Sequence, residues 1–391
     1  MSKTPRFIQI HTLHSYPAAL LNRDDAGLAK RLQYGGYSRT RVSSQCLKRH
    51  WRTAEGADAW SEMEGFIPSI RSRELVSKLV IEPILSDTSV DDKIAKALSD
   101  EFQVGVYGKN ATDPKKRQPL LLGAPEVEYL KRNAMELLEH NSKDSKALTE
   151  AIKAFFKEEK KNLGALKEQA TLPGGLAAAL FGRMVTSDPA ANIDAAIHVA
   201  HAFTVHAEES ESDYFSVVDD LRDDDDDAGA AHIGDSELTA GLFYGYVVVD
   251  VPALVSNTQG VKSDQWAAQD TDRELAAEII KRLINLIATV TPGAKLGSTA
   301  PYSWAPLVFV EAGERQPRSF AEAFRKPCAA QLDKTLARLT ESITQFDECY
   351  GATESRRFCC IDASTDLPDS ARLPLANLAD WASDAVLRAE V

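Results

Sequence analysis

Residues 242–251 read Leu-Phe-Tyr-Gly-Tyr-Val-Val-Val-Asp-Val. Aromatic and β-branched side chains fill this segment, which predicts a strand. Upstream, Ile193, Ala195, Ile197, Val199, Phe203 and Val205 share one parity, so 193–205 reads as a second strand. The apolar run Leu176 to Val185 adds β signal before it. At the start of the chain Phe7 to Leu13 alternates apolar and polar residues, an opening strand, and Leu307 to Val310 is a later one. Ser15 to Val42 reads as a loop containing Gly35-Gly36. Helical spacing of apolar residues marks Arg73–Leu85, Asp91–Phe102, Pro125–Glu139 and Lys146–Lys167. Thr271-Asp272-Arg273-Glu274 is a capping box opening a helix through Ala288. From Arg318 on, the pattern is mixed and mainly helical. Strands and helices segregated in this way predict an α+β fold with a helical subdomain inserted between strands.

The chain has 391 residues, 44% of them hydrophobic. That length fits one core with large insertions or two domains. No run of about 18 uncharged apolar residues occurs, and Met1 to His11 is polar. A cytoplasmic protein with no membrane partner is expected. The five cysteines, Cys46, Cys328, Cys349, Cys359 and Cys360, form no C-x-x-C pair. They read as reduced thiols, without a zinc site or disulfide framework.

The net charge of −13 argues against nucleic-acid binding when taken alone. Charge is uneven, however. Between Ala26 and Ala54 there is no acid, while Lys30, Arg31, Arg39, Arg41, Lys48, Arg49 and Arg52 all fall there. Ser43 to Ala54 has helical periodicity with Ser43 or Ser44 as N-cap. At 3.6 residues per turn, Gln45, Lys48, Arg49 and Arg52 form one stripe, and Cys46, Leu47, His50, Trp51 and Ala54 lie opposite. Cations, an amide and the two serine hydroxyls at the helix N-terminus suit phosphate and ribose oxygens. An ordinary amphipathic surface helix, or a basic interface for an acidic partner, would give the same pattern.

Leu21-Asn22-Arg23-Asp24-Asp25, then Gly35-Gly36, then Arg41-Val42-Ser43-Ser44-Gln45-Cys46-Leu47-Lys48-Arg49 resemble the N-terminal signature of the CasC family. CasC is the backbone subunit of type I-E CRISPR Cascade. Further matches follow in order: Gly182-Arg183-Met184-Val185-Thr186-Ser187, Ala200-His201-Ala202-Phe203-Thr204, Tyr214-Phe215 with Val218-Asp219-Asp220-Leu221, Ala231-His232-Ile233-Gly234, Gly241-Leu242-Phe243-Tyr244 and Pro292-Gly293-Ala294-Lys295. The resemblance spans roughly residues 5 to 311 and rests on the order of these motifs.

It implies a palm with a modified RNA-recognition (ferredoxin-like) fold over 1–58, 173–206 and 241–391, helical fingers over 59–172 and a long thumb loop over 207–240. It further implies a non-catalytic subunit that stacks head to tail along a CRISPR guide RNA beside other Cascade subunits and presents the guide to target DNA in antiviral defence. Carried over by position, Arg23, Lys30, Ser43, Gln45, Lys48, Arg49 and Arg52 would contact the guide backbone. Met184 would wedge against bases, and Tyr214, Phe215 and Val218 would meet a displaced nucleotide. Lys153, Lys157, Lys160 and Lys161 form a helical stripe that would touch target DNA, or simply a solvated face. The run Asp223–Asp227 departs from the family pattern: it repels phosphate and reads as a disordered, solvated segment, or as an acidic face for a neighbour's basic stretch.

No P-loop, G-x-S-x-G or H-E-x-x-H motif is present, and no cofactor or metal is expected. His198, His201 and His206 do not share a strand face. A metal-dependent RNA endonuclease using Asp24 or Asp25 is the competing expectation. A turn held by the same pair is the simpler use of those residues.

Overall fold

The computed structural model describes residues 4–391 except 89, 109, 110, 112, 159–171, 173, 186, 187, 218–231 and 294–299. The fold is α+β and divides into two units. The first comprises residues 1–59, 199–249 and 277–391, and the second 60–198 and 250–276.

The first unit is built on strands β1 (Phe7–Ala19), β2 (Arg31–Tyr34), β3 (Tyr37–Val42) and, further along the chain, β7 (Ala202–Thr204), β8 (Ser210–Val217), β9 (His232–Asp250), β10 (Leu307–Gly313), β11 (Ser355–Cys360) and β12 (Ser370–Arg372). Their lateral order is β12-β11-β10-β1-β9-β7-β3-β2, with β8 paired to β9. The strand expected at 242–251 is the inner half of β9, a 19-residue strand.

One sheet face packs Leu13, Phe203, Tyr244, Phe309 and Phe358 against Leu336, Leu339 and Ile343 of α9 (Leu332–Tyr350). On the other face Tyr16, Val42, Ala202 and Phe243 meet Cys46 and Leu47 of α1 (Ser44–Arg52). Two further helices of this unit, α8 (Glu274–Thr289, from Ala277 on) and α10 (Leu375–Leu387), are joined by the Lys281–Asp380 ion pair at 2.7 Å.

The alternation in β1 has an unexpected meaning. Its polar residues do not face water: Phe7 to Leu13 are all buried. Gln9 sits opposite Glu311, and Glu311 opposite Arg356, across three neighbouring strands. Glu311 binds Arg356 (2.8 Å), Arg318 (2.5 Å) and His11 (3.1 Å), and Arg356 also binds Asp347 (2.5 Å). The Phe320 N–H donates to the Tyr244 hydroxyl, which donates to His11 Nδ1, leaving Nε2–H for Glu311. Burial raises the Glu311 carboxyl, but its hydrogen bonds to His11 and Arg318 outweigh that and hold it well below the usual range.

Other differences from the sequence expectation are local. Ser15 to Val42 holds the end of β1 and the β2–β3 hairpin rather than a loop. Its turn is Gly35-Gly36 with φ of +62° and +85°, as a two-residue hairpin requires. The acidic stretch expected as loop forms two antiparallel arms, from Ser210↔Thr239 to Val217↔His232. Asp223–Asp227 lie outside the described residues. The segment 193–205 divides into β6 (Ile197–Val199) and β7.

In the second unit β4 (Ser69–Ser72) pairs with β5 (Leu120–Gly123). A π-helical turn at Val76–Ile81 leads into α2 (Glu82–Asp87), followed by α3 (Asp92–Tyr107), α4 (Ala124–His140) and α5 (Ser145–Lys157). These bury Leu98, Phe102, Leu130 and Ile152 in one core. Gly175–Phe181 is helix α6, not the β segment expected. Leu-Ala-Ala-Ala-Leu is a run of the strongest helix formers, and Gly182 at φ +75° stops it. Asp250 caps α7 (Val251–Gln259) through Ala253 N–H. The helix expected from Thr271 starts at Glu274, without the expected capping box: Asp272 Oδ1 accepts the Glu274 N–H at 2.8 Å, while the Thr271 hydroxyl donates to Gln265 O.

Acid sensitivity follows from the first unit. His14, half-buried, donates to the Ile287 carbonyl at 3.0 Å, and burial pushes its pKa down from 6.5 to about 4. Burial lowers His11 as well. The unfolded chain therefore takes up these protons first as pH falls. Stability is full above about pH 6.5 and declines through the folded-state value near 4. A loss of ~2 kcal/mol between pH 7 and 4 is expected from His14, discounted for its partial exposure. Thermal melts of His14→Gln should show a shallower acid limb than wild type; identical limbs would refute the assignment.

Candidate nucleic-acid interface

Helix α1 is fixed from both ends. Ser43 caps it, its Oγ accepting the Cys46 N–H at 3.3 Å while its own N–H bonds Asn22 Oδ1 at 2.9 Å. The Ser44 N–H donates to His201 Nδ1 at 3.0 Å. Further along, His50 Nδ1–H donates to the Cys46 carbonyl at 2.8 Å, and His50 Nε2 accepts the Gly293 N–H at 3.2 Å. Trp51 is buried. The buried arc expected from the wheel thus anchors the helix. Gln45 and Arg49 are exposed, with Lys48 and Arg52 half-buried beside them.

Two details revise the sequence picture. Ser43, expected at the guide backbone, is only 4% exposed and its hydroxyl is spent on the cap. With Ser44 N–H bound to His201, the helix N-terminus presents less to an anion than its sequence suggests. The seven-cation island also shrinks. Arg39 is fully buried, giving hydrogen bonds to the carbonyls of Thr204, His206, Phe324 and Arg325 at 2.9–3.2 Å, and burial lowers its pKa. Arg31 is ion-paired to Glu208 and Glu237. Glu237 also accepts the Ala29 N–H at 2.6 Å, and Glu208 the Ser38 hydroxyl at 2.7 Å. Glu237 lies within the arms, opposite Ser212, and Glu208 just before β8, so Arg31 ties the arms to the β2–β3 hairpin.

Arg41, Lys30 and Lys48 converge near His201. Arg41 lies 3.3 Å from His201 Nδ1. Burial lowers the His201 pKa, and Arg41, Lys30 and Lys48 push it further down. Three cations that each disfavour a proton on one imidazole mark a locally positive surface. Lys30 is half-buried, its N–H on Asn22 O at 2.9 Å. Arg23 is exposed at an antiparallel bridge to Ala29. Asp24 Oδ1 accepts the N–H groups of Ala26 and Leu28 at 2.9 and 3.0 Å, a turn-forming use of the carboxylate. Among the described residues no three His, Cys, Asp or Glu side chains cluster as metal ligands.

The remaining candidates separate. Tyr214 is 66% exposed on β8. Phe215 pairs with Gly234, and Val218 lies outside the described residues. Met184, in the second unit, is 63% exposed beside buried Arg183, which binds Glu126. Lys153 on α5 is near Glu101 and Glu150 at 3.8 and 3.7 Å, and Lys157 is exposed. Lys160 and Lys161 lie outside the described residues. Asn22, His50 and His201, which position α1, escaped the sequence reading as site residues. Two of them lay in quoted motifs, Leu21-Asn22-Arg23 and Ala200-His201-Ala202.

The family model described as CT1975-like protein matches residues 8–383. The chain belongs to this family. Its members are the CasC backbone subunits of type I-E Cascade. A solved chain from a "CRISPR RNA-guided surveillance complex, pre-nicking" is 25% identical, with a TM-score of 0.74 over 97% of this chain and all of that one. A chain from a "CRISPR RNA-guided surveillance complex" is 22% identical, with a TM-score of 0.58 over 97% of this chain and 99% of that one, a likeness of fold. No curated protein matches the chain in sequence. Among the described residues of this CasC-family chain, no helix is long and apolar enough to cross a membrane.

Proposed function

We propose that this chain is a non-catalytic subunit that polymerises along a CRISPR guide RNA and presents it to target DNA. The observation that carries this is the α1 surface, where Gln45, Lys48, Arg49 and Arg52 line one stripe beside Lys30 and Arg41 in a chain of net charge −13. Cations on a packed helix hold a phosphate backbone at a set spacing without reading sequence. In this view the first unit is an RNA-recognition-like palm and the second carries the helical fingers. The β8–β9 arms are the thumb, where exposed Tyr214 offers a ring to an unstacked base. Met184 serves as the apolar wedge, and Lys153, Lys157, Lys160 and Lys161 face the DNA strand. Further copies and other Cascade subunits are the protein partners, in the cytoplasm.

The test is the salt dependence of binding. Replacing Lys48, Arg49 and Arg52 with Ala should weaken single-stranded RNA binding equally for unrelated sequences. The slope of log K against log salt should shrink by roughly 0.7 for each phosphate that is no longer neutralised. Weakening confined to one sequence, or an unchanged slope, would reject the backbone-tracking role.

A further inference from the structure

Tyr302 and Trp304 are 83% and 74% exposed, the highest values among the large apolar or aromatic side chains of the described residues. They are not on a loose loop. Thr291 Oγ1 accepts the Ser303 N–H at 3.0 Å and donates to the Ser303 carbonyl at 3.1 Å. The Ala305 N–H donates to the Ala288 carbonyl at 2.8 Å. Residues 301–305 alternate between half-buried and exposed, so both rings stand on the solvent side of a segment held at Ser303 and Ala305. Exposing two such rings sacrifices their apolar burial, which implies an occupant.

Charge decides what kind of occupant fits. Between Arg282 and Glu311 the sequence has no acid and a single cation, Lys295. A basic protein surface would find no counter-charge there, whereas a polyanion meets no repulsion. The segment is also tied to the basic helix: Gly293, two residues after Thr291, bonds His50 of α1. Two exposed rings only two residues apart can each take one face of a nearby unstacked base.

We propose that Tyr302 and Trp304 form a second nucleobase-stacking platform, contacting bases of the same RNA whose backbone lies on α1. This rests on the guide-RNA role proposed above and adds base stacking to it.

The full chain and its Tyr302→Ala/Trp304→Ala variant would be titrated with a short labelled single-stranded RNA of mixed sequence, and with an abasic strand of equal length. Roughly tenfold weaker RNA binding for each ring removed is expected, with the salt slope unchanged and equal affinity for the abasic strand. Tyr302→Phe/Trp304→Phe should restore most of the RNA affinity. Unchanged RNA affinity in the alanine variant, while the α1 variant still loses binding, overturns this platform and leaves the guide-RNA role standing. No RNA binding by wild type overturns both. Intact RNA affinity with loss of co-purifying Cascade subunits would make the pair a protein-docking site and also overturn the platform. Both side chains are exposed, so matching melting curves are expected and exclude misfolding as the cause.

Discussion

Glu311→Gln should lower the unfolding free energy by about 3–5 kcal/mol, the usual cost of breaking a buried ion pair from one side. Glu311 is fully buried and answers three groups at once: His11, Arg318 and Arg356. Arg356 is also fully buried, and after the substitution only Asp347 would balance it. An amide keeps the shape but supplies a single acceptor oxygen and no charge. The penalty therefore comes from guanidinium groups left under-compensated inside the sheet, not from poorer packing. A double-mutant cycle checks this directly. Glu311→Met with Arg356→Met should be less destabilising than the sum of the two single changes, because removing both charges removes the stranded one. Additive effects in urea unfolding would show that the two side chains act separately.

That network also shows where the sequence was readable and where it was not. Periodicity located β1, but period 2 says only that two faces differ. Polar residues on such a strand usually face water, yet Gln9 and His11 are buried. They are dry because partners more than two hundred residues away satisfy them: the Tyr246 hydroxyl and the Arg318 N–H donate to Gln9, and Tyr244 and Glu311 bond His11. The same long-range pairing hid β11, whose Ser355-Arg356-Arg357 opening looks like surface. Local signals that were present and passed over include the Gly35-Gly36 hairpin turn and the Ala-rich helix at Gly175–Phe181. At the candidate interface, the wheel separated the buried and open arcs of α1 from sequence alone. It could not show that Arg39 and Arg31 are turned to other work. Arg39 is drawn onto four carbonyls, and Arg31 onto two glutamates beyond Ala207. Such diversions depend on tertiary neighbours, to which composition is blind.

Gly35→Ala should cost more than about 3 kcal/mol, and Gly36→Ala no more than about 1–2 kcal/mol. Both glycines have positive φ, at +62° and +85°, so each alanine bears the left-handed backbone penalty of about 1–2 kcal/mol. Only Gly35 carries a second constraint. A Cβ there would overlap the backbone carbonyl of Arg325, whereas at Gly36 it would meet nothing within 4 Å. The Arg325 carbonyl cannot simply retreat, since it also accepts a hydrogen bond from buried Arg39. Relief must come from the hairpin moving as a body. That hairpin carries Arg31, which ties down the β8–β9 arms, and β3, which runs directly into the Ser43 cap of α1. The Gly35 variant should accordingly lose RNA affinity as well as stability, although no cation is altered, while the Gly36 variant keeps its affinity. Equal melting temperatures for the two variants would mean that the close approach of Arg325 does not constrain the turn. Reduced stability with full RNA affinity would mean that the hairpin does not position α1.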